Sequence, residues 1–153
     1  WMPGYNISFI SKPSNLTIPI AGITARHAGF LSLDRENNRE ALKTILQAAD
    51  YLKRGVCNIG IYPEGTRSKT AELLPFHAGS FKIAQKAAVP LVIATVTGTE
   101  QIHKRFPLRR TEVYIRICEV LSPEELAGST AALSLRARGI MEENLSRKIR
   151  EFT

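Results

Sequence analysis

Val56-Cys57-Asn58-Ile59-Gly60-Ile61-Tyr62-Pro63-Glu64-Gly65-Thr66-Arg67-Ser68 is a nearly continuous apolar run that stops at a proline and turns at once into a polar loop. Such a run, too short for a helix and without alternation, predicts a strand buried on both faces over Val56–Tyr62, with a loop from Pro63. The residues before it predict a helix. Ala41, Leu42, Ile45, Ala48, Ala49 and Leu52 recur with helical spacing between Asn38 and Arg54, and Gly55 supplies the stop. After the loop, Ser80–Ala88 returns to helical spacing, and Leu91–Val96 is apolar and β-branched enough for a second central strand.

Working outward, Asn6–Ser11 and Phe30–Leu33 read as short strands, with a short helix or turn within Leu16–His27. Val113, Ile115 and Ile117 alternate with Tyr114, Arg116 and Cys118, which predicts a strand near a sheet edge with one wetter face. Ser122-Pro123-Glu124-Glu125 has the form of a capping box with proline at the first helical position. Leu133, Ala137, Ile140, Met141, Leu145, Ile149 and Phe152 continue a helical stripe to the end. Strands and helices take turns, so the fold class is α/β: a mixed, largely parallel central sheet flanked by helices.

At 153 residues and 44% apolar content, one domain over residues 1–153 is expected. Twenty-one basic against 14 acidic residues give a net charge of +7, which favours anionic partners: phosphorylated substrates, nucleic acid or a negatively charged membrane. Cys57 and Cys118 sit in apolar runs and read as buried core thiols in a reducing compartment. No basic-then-apolar leader opens the chain and no run of about 18 apolar residues occurs, so no signal peptide or membrane span is expected within it. A chain starting at Trp1 is expected to lack its natural amino end.

The loop after Tyr62 carries the chemistry. Ligands of open α/β sheets bind at the carboxyl ends of strands. There Gly65 lets backbone approach a ligand, Thr66 and Ser68 offer hydroxyls, and Arg67 offers a planar fork that matches phosphate oxygens. The same residues would also make a surface turn with a Glu64–Arg67 ion pair.

Tyr62-Pro63-Glu64-Gly65-Thr66-Arg67-Ser68 closely resembles the third sequence block of the lysophosphatidic acid and glycerol-3-phosphate acyltransferases. Three further stretches agree in order and spacing. Gly29-Phe30-Leu31-Ser32-Leu33-Asp34-Arg35 is similar to the family's second block, Leu74–Phe81 to the segment after the third, and Val89-Pro90-Leu91-Val92-Ile93 to the fourth. The likeness spans roughly Ile10 to Val120. It implies a glycerolipid acyltransferase fold and transfer of a fatty acyl group from acyl-CoA or acyl-carrier protein to the free hydroxyl of lysophosphatidic acid, in phospholipid synthesis. No cofactor and no metal are implied. Arg35 and Arg67 would bind the acceptor's phosphate, supported by Glu64, Gly65, Thr66 and Ser68, with Lys12 a weaker candidate.

The family's first block, Asn-His-x-x-x-x-Asp, supplies a general base and the carboxylate that orients it. It is absent here: five positions after His27, His77 and His103 stand Ser32, Lys82 and Leu108. No catalytic residue is therefore expected within the chain; the block is expected before Trp1, and the 153 residues alone are expected to be inactive. His77 is the substitute base to consider, although a lone histidine before a helix is more often structural. Lys104, Arg105, Phe106, Leu108, Arg109 and Arg110 interleave cations with apolar groups in a loop suited to an anionic membrane surface. The resemblance places the protein at the cytoplasmic face of a membrane, peripheral or anchored by an absent amino-terminal segment. Two alternatives are glycerol-3-phosphate as acceptor and a basic nucleic-acid-binding module. The second is disfavoured because no zinc-ligand spacing appears and aromatics do not line up with cations on one strand.

Overall fold

The computed structural model describes residues 6–34, 36–66, 68, 72–102 and 109–151, with Glu100 and residues 147–151 described by backbone alone. Two compact units divide the chain, Trp1–Val89 and Pro90–Thr153. The α/β class expected from the sequence is the one adopted, but parallel and antiparallel pairing fall in separate sheets of three and two strands.

In the first unit, β1 (Ile7–Ser11) lies between β2 (Leu31–Ser32) and β3 (Asn58–Gly60), all parallel. Ile10 pairs with Leu31 and Phe9 with Gly60, so the three carboxyl ends share one edge. A short helix, α1 (Ala21–His27), leads from β1 to β2, and α2 (Asn38–Lys53) leads from β2 to β3. Asn37 caps α2 by accepting from the Arg39 and Glu40 amides, and Gly55 ends it at positive φ, as the sequence indicates. A 3₁₀ turn at Ala78–Phe81 precedes α3 (Lys82–Ala87), so the helix expected from Ser80 starts tighter. Leu31, Ala48 and Ile83 form the buried centre, with Ile10, Ile45, Leu52, Ile59 and Ile61 against it. Leu42, counted in the apolar stripe, is half exposed.

The strand expected over Val56–Tyr62 is shorter and wetter than its composition indicates. Only Asn58–Gly60 pairs, and Val56 and Tyr62 are exposed. Its ladder with β1 runs over three positions, Ile7–Phe9 against Asn58–Gly60, and stops there although β1 continues to Ser11. On the face away from the core, Phe9 stacks on Tyr62 at 6.2 Å between ring centroids and meets Phe30 at 5.4 Å. A Cβ at Gly60 would stand 2.4 Å from the Phe9 ring, so glycine is what lets the ring lie over β3.

In the second unit, β4 (Leu91–Thr97) pairs antiparallel with β5 (Tyr114–Leu121), and α4 (Thr130–Glu151) packs on both. Ile93, Leu121, Leu126, Leu133 and Ala137 are buried. β4 is not a strand buried on both faces: Val92 and Val96 are exposed. The alternation expected of β5 is also overturned. A bulge opposite Ile93/Ala94 leaves Cys118 as the extra residue and flips the phase of the strand. Leu121 consequently faces inward opposite Leu91, while Ile115 and Ile117 face outward opposite Val96 and Ala94, 72% and 67% exposed.

The helix expected to start at the capping box does not. Glu125 does accept from the Ser122 amide at 2.9 Å, but the turn is a 3₁₀ piece, Glu124–Leu126. Gly128 at φ 111° interrupts it, and Ser129 caps α4 by accepting from the Ala132 amide. Arg136 then pairs with Glu119 and Glu125, linking helix, strand and turn. Both cysteines are free and half-buried rather than core thiols; burial raises the Cys57 pKa.

Candidate functional site

The parallel register of the first unit concentrates chain exits at one edge. Leaving β2, the Leu33 amide still bonds Ser11 O at 2.9 Å, and Asp34 accepts from the Glu36 amide to turn the chain into α2. Thr44 donates from α2 to Ser32 O at 2.6 Å, which pins the start of this exit to the helix. Leaving β1, Lys12 is exposed and opens a 3₁₀ turn. Leaving β3, the chain runs through Ile61 into a turn closed by Gly65 N–H to Tyr62 O at 3.0 Å, with Gly65 at φ 65°.

That turn is tied down by its own return segment. Glu64 accepts from the Leu74 amide at 2.9 Å, Pro63 O accepts from the His77 amide at 2.9 Å, and Ser68 donates to Glu72 O at 3.0 Å. Glu64 thus holds the loop. A carboxylate spent on a backbone amide inside the loop has one face committed to architecture. Thr66 is exposed, while Gly65 and Ser68 are half-buried. His77 joins the site through its backbone, and its side chain is exposed.

Of the residues singled out from the sequence, Arg35 and Arg67 lie outside the described residues, as do Lys104, Arg105, Phe106 and Leu108. Their neighbours are described: Asp34 and Glu36 at the β2 exit, Thr66 and Ser68 at the β3 exit. Arg109 and Arg110 are exposed in the second unit. Among the described residues no group of three His, Cys, Asp or Glu could hold a metal ion. No described helix is long and apolar enough to cross a membrane. Sequence reasoning missed the Phe9–Tyr62 stack; Gly60 between two isoleucines was the available signal, since a glycine inside a strand marks a close approach.

A short parallel sheet with its loops gathered at the carboxyl edge, one of them turned at Gly65 and carrying Thr66 and Ser68, defines an α/β protein whose candidate ligand edge lies there. The chain belongs to the acyltransferase family, which it matches over residues 2–97. It is 35% identical over 121 residues to 1-acyl-sn-glycerol-3-phosphate acyltransferase of Haemophilus influenzae, covering 79% of this chain and 49% of that one. The enzyme of the same name from Escherichia coli is 32% identical over 141 residues, 90% of this chain and 56% of that one. The crystal structure of the 1-acyl-sn-glycerophosphate (LPA) acyltransferase of Thermotoga maritima superposes with a TM-score of 0.70 at 26% identity, covering 93% of this chain and 56% of that one. The chain therefore spans about half the length of the curated relatives it matches.

Proposed function

We propose that these residues are the acceptor-holding part of a lysophosphatidic acid acyltransferase, with Arg35 and Arg67 clamping the acceptor's phosphate. The observation that carries the reading is the convergence of β1, β2 and β3 at one edge, with Arg35 following β2 and Arg67 following β3 in the sequence. Family membership and the names of the relatives support the acceptor class. Lys12, on the third exit, adds positive charge to the same edge.

In this reading the hydroxyl of lysophosphatidic acid attacks the acyl carbon of acyl-CoA or acyl-carrier protein. The new C–O bond forms as the C–S bond breaks, and the proton leaves with the thiol. Holding a phosphate close to the reacting hydroxyl turns a bimolecular encounter into an oriented one, which is where a clamp contributes most. The family resemblance implies a His-x-x-x-x-Asp pair as base, which residues 1–153 do not contain, no cofactor or metal is called for, and the protein works at the cytoplasmic face of a membrane, peripheral or anchored. Arg109 and Arg110, with their neighbours Lys104 to Leu108, serve that surface rather than nucleic acid.

The test is phosphatidic acid formation from lysophosphatidic acid by a longer chain carrying the first block, beside the 153-residue chain alone. The longer chain should turn over and the shorter should show only background thioester release. Turnover by the 153 residues would make His77 the first suspect as base. A preference of the longer chain for glycerol-3-phosphate would overturn the acceptor.

A further inference from the structure

The connection between β1 and β2 has a feature that phosphate binding does not explain. Ile18, Ile20 and Ile23 are all exposed, Ile20 at 80%. Ile20 also stands at φ 65°, ψ −62°, with the Ala21 amide bonded to Pro19 O at 2.7 Å. This is the rarer, positive-φ form of the γ-turn, costly for any residue with a Cβ and most costly for a β-branched one. The turn is locked from below: the Gly22 amide bonds Ile18 O at 2.7 Å, and a Cβ at Gly22 would lie 2.2 Å from Leu16 O. The Ile20 carbonyl accepts from the Thr24 amide and hydroxyl, each at 2.9 Å, so the strained backbone opens α1, while the isoleucine side chain it carries is left in water.

The charge around it is one-sided. The first 33 residues contain no aspartate or glutamate, whereas Lys12 and Arg26 bracket the isoleucines and are exposed. Arg26 reaches back to Leu16 O at 2.7 Å, which keeps its guanidinium beside the apolar turn. Apolar side chains projecting between cations, with no acid among them, complement the surface of an anionic bilayer, where basic heads meet lipid phosphates and the apolar groups enter the acyl boundary.

We propose that the Ile18–Ile23 turn docks this protein on anionic lipid bilayers. The inference rests on the acyltransferase reading only for its use: the turn leaves the same sheet edge as the candidate clamp, so docking there would bring the edge to its lipid acceptor. Binding itself needs no turnover.

The experiment is co-sedimentation of the 153-residue chain with phosphatidylcholine vesicles, with and without about one-third phosphatidylglycerol. Wild type should partition onto the anionic vesicles and much less onto the neutral ones. Ile18→Ser/Ile20→Ser/Ile23→Ser should lose at least about tenfold in partitioning. Ile20→Gly guards against misfolding, because it removes the side chain and relieves the backbone: its melting temperature should hold or rise while its partitioning falls. Ile115→Ser/Ile117→Ser, on the exposed face of β4 and β5, should bind as wild type. The proposal is overturned if wild type ignores anionic vesicles, if Ile20→Gly and the triple variant bind unchanged, or if the Ile115/Ile117 pair abolishes binding instead. It is equally overturned if the turn mediates self-association and the vesicles do not compete. An inactive longer enzyme whose 153-residue chain still docks would count against the clamp and leave the docking standing.

Discussion

The two units differ in how their strands come by their neighbours. In the first, the sheet is parallel and each strand hands the chain to a helix or loop through local chemistry: Asn37 caps α2, Gly55 stops it, and Glu64 bonds the Leu74 amide. In the second, one antiparallel pair and a long helix depend on a bulge and on two separate caps. Local chemistry repeats from protein to protein because turns and caps need particular residues at particular offsets. A bulge is set by what packs above and below, and a single extra residue reverses every side chain beyond it.

The bulge gives the sharpest way to break this contrast. Leu121 and Ile117 share the same parity along β5, yet Leu121 is fully buried and Ile117 is mostly exposed. Leu121→Ala should cost about 2–5 kcal/mol in urea unfolding, while Ile117→Thr should stay within roughly 0.5 kcal/mol. Equal losses at the two sites would mean that the phase does not flip. Next in size is Gly60→Val in the first unit, where the new side chain meets the Phe9 ring; about 1–3 kcal/mol should be lost to overpacking. A neutral Gly60→Val would show that Phe9 does not lie over β3.

The smallest effect concerns the turn before α4. The Ser122 amide, then Arg136, hold the Glu125 carboxyl below its ordinary pKa. A folded-state pKa below the unfolded value stabilises at neutral pH, and that contribution is lost as pH falls from the unfolded carboxylate value through the folded one. The melting temperature of wild type should therefore decline more steeply than that of Glu125→Gln on acidification below roughly pH 5. Parallel curves would mean that Glu125 is not held in this way.

What was legible followed the same division. The α2 helix, its glycine stop and the turn beginning at Pro63 were readable because spacing and turn residues decide them locally. The role of Glu64 in holding the loop was readable for the same reason, and it is met by the Leu74 amide. Illegible were the depth of each strand and the break at Gly128. An apolar run such as Val56–Tyr62 signals burial, but the run itself does not say where pairing stops: β3 leaves the ladder after Gly60 although β1 continues to Ser11. Ser122-Pro123-Glu124-Glu125 carries a genuine cap interaction, and nothing within those four residues reveals that Gly128 will end the turn before α4 begins. Nor does composition reveal that Ile20 is held at positive φ, because the lock comes from the approach of Leu16 to Gly22.

The proposed clamp holds the acceptor's phosphate at the carboxyl edge of β1, β2 and β3 through Arg35 and Arg67. It is tested most directly by steady-state kinetics of Arg35→Ala and Arg67→Ala in the longer chain, titrating lysophosphatidic acid at saturating donor and then donor at saturating acceptor. Each variant should lose about 2–5 kcal/mol of acceptor efficiency, roughly thirtyfold or more, with donor efficiency changed far less. Lysine at either position should restore only part of the loss, since it brings charge without the fork. Normal acceptor kinetics in both folded alanine variants, or equal losses for donor and acceptor, would contradict the clamp.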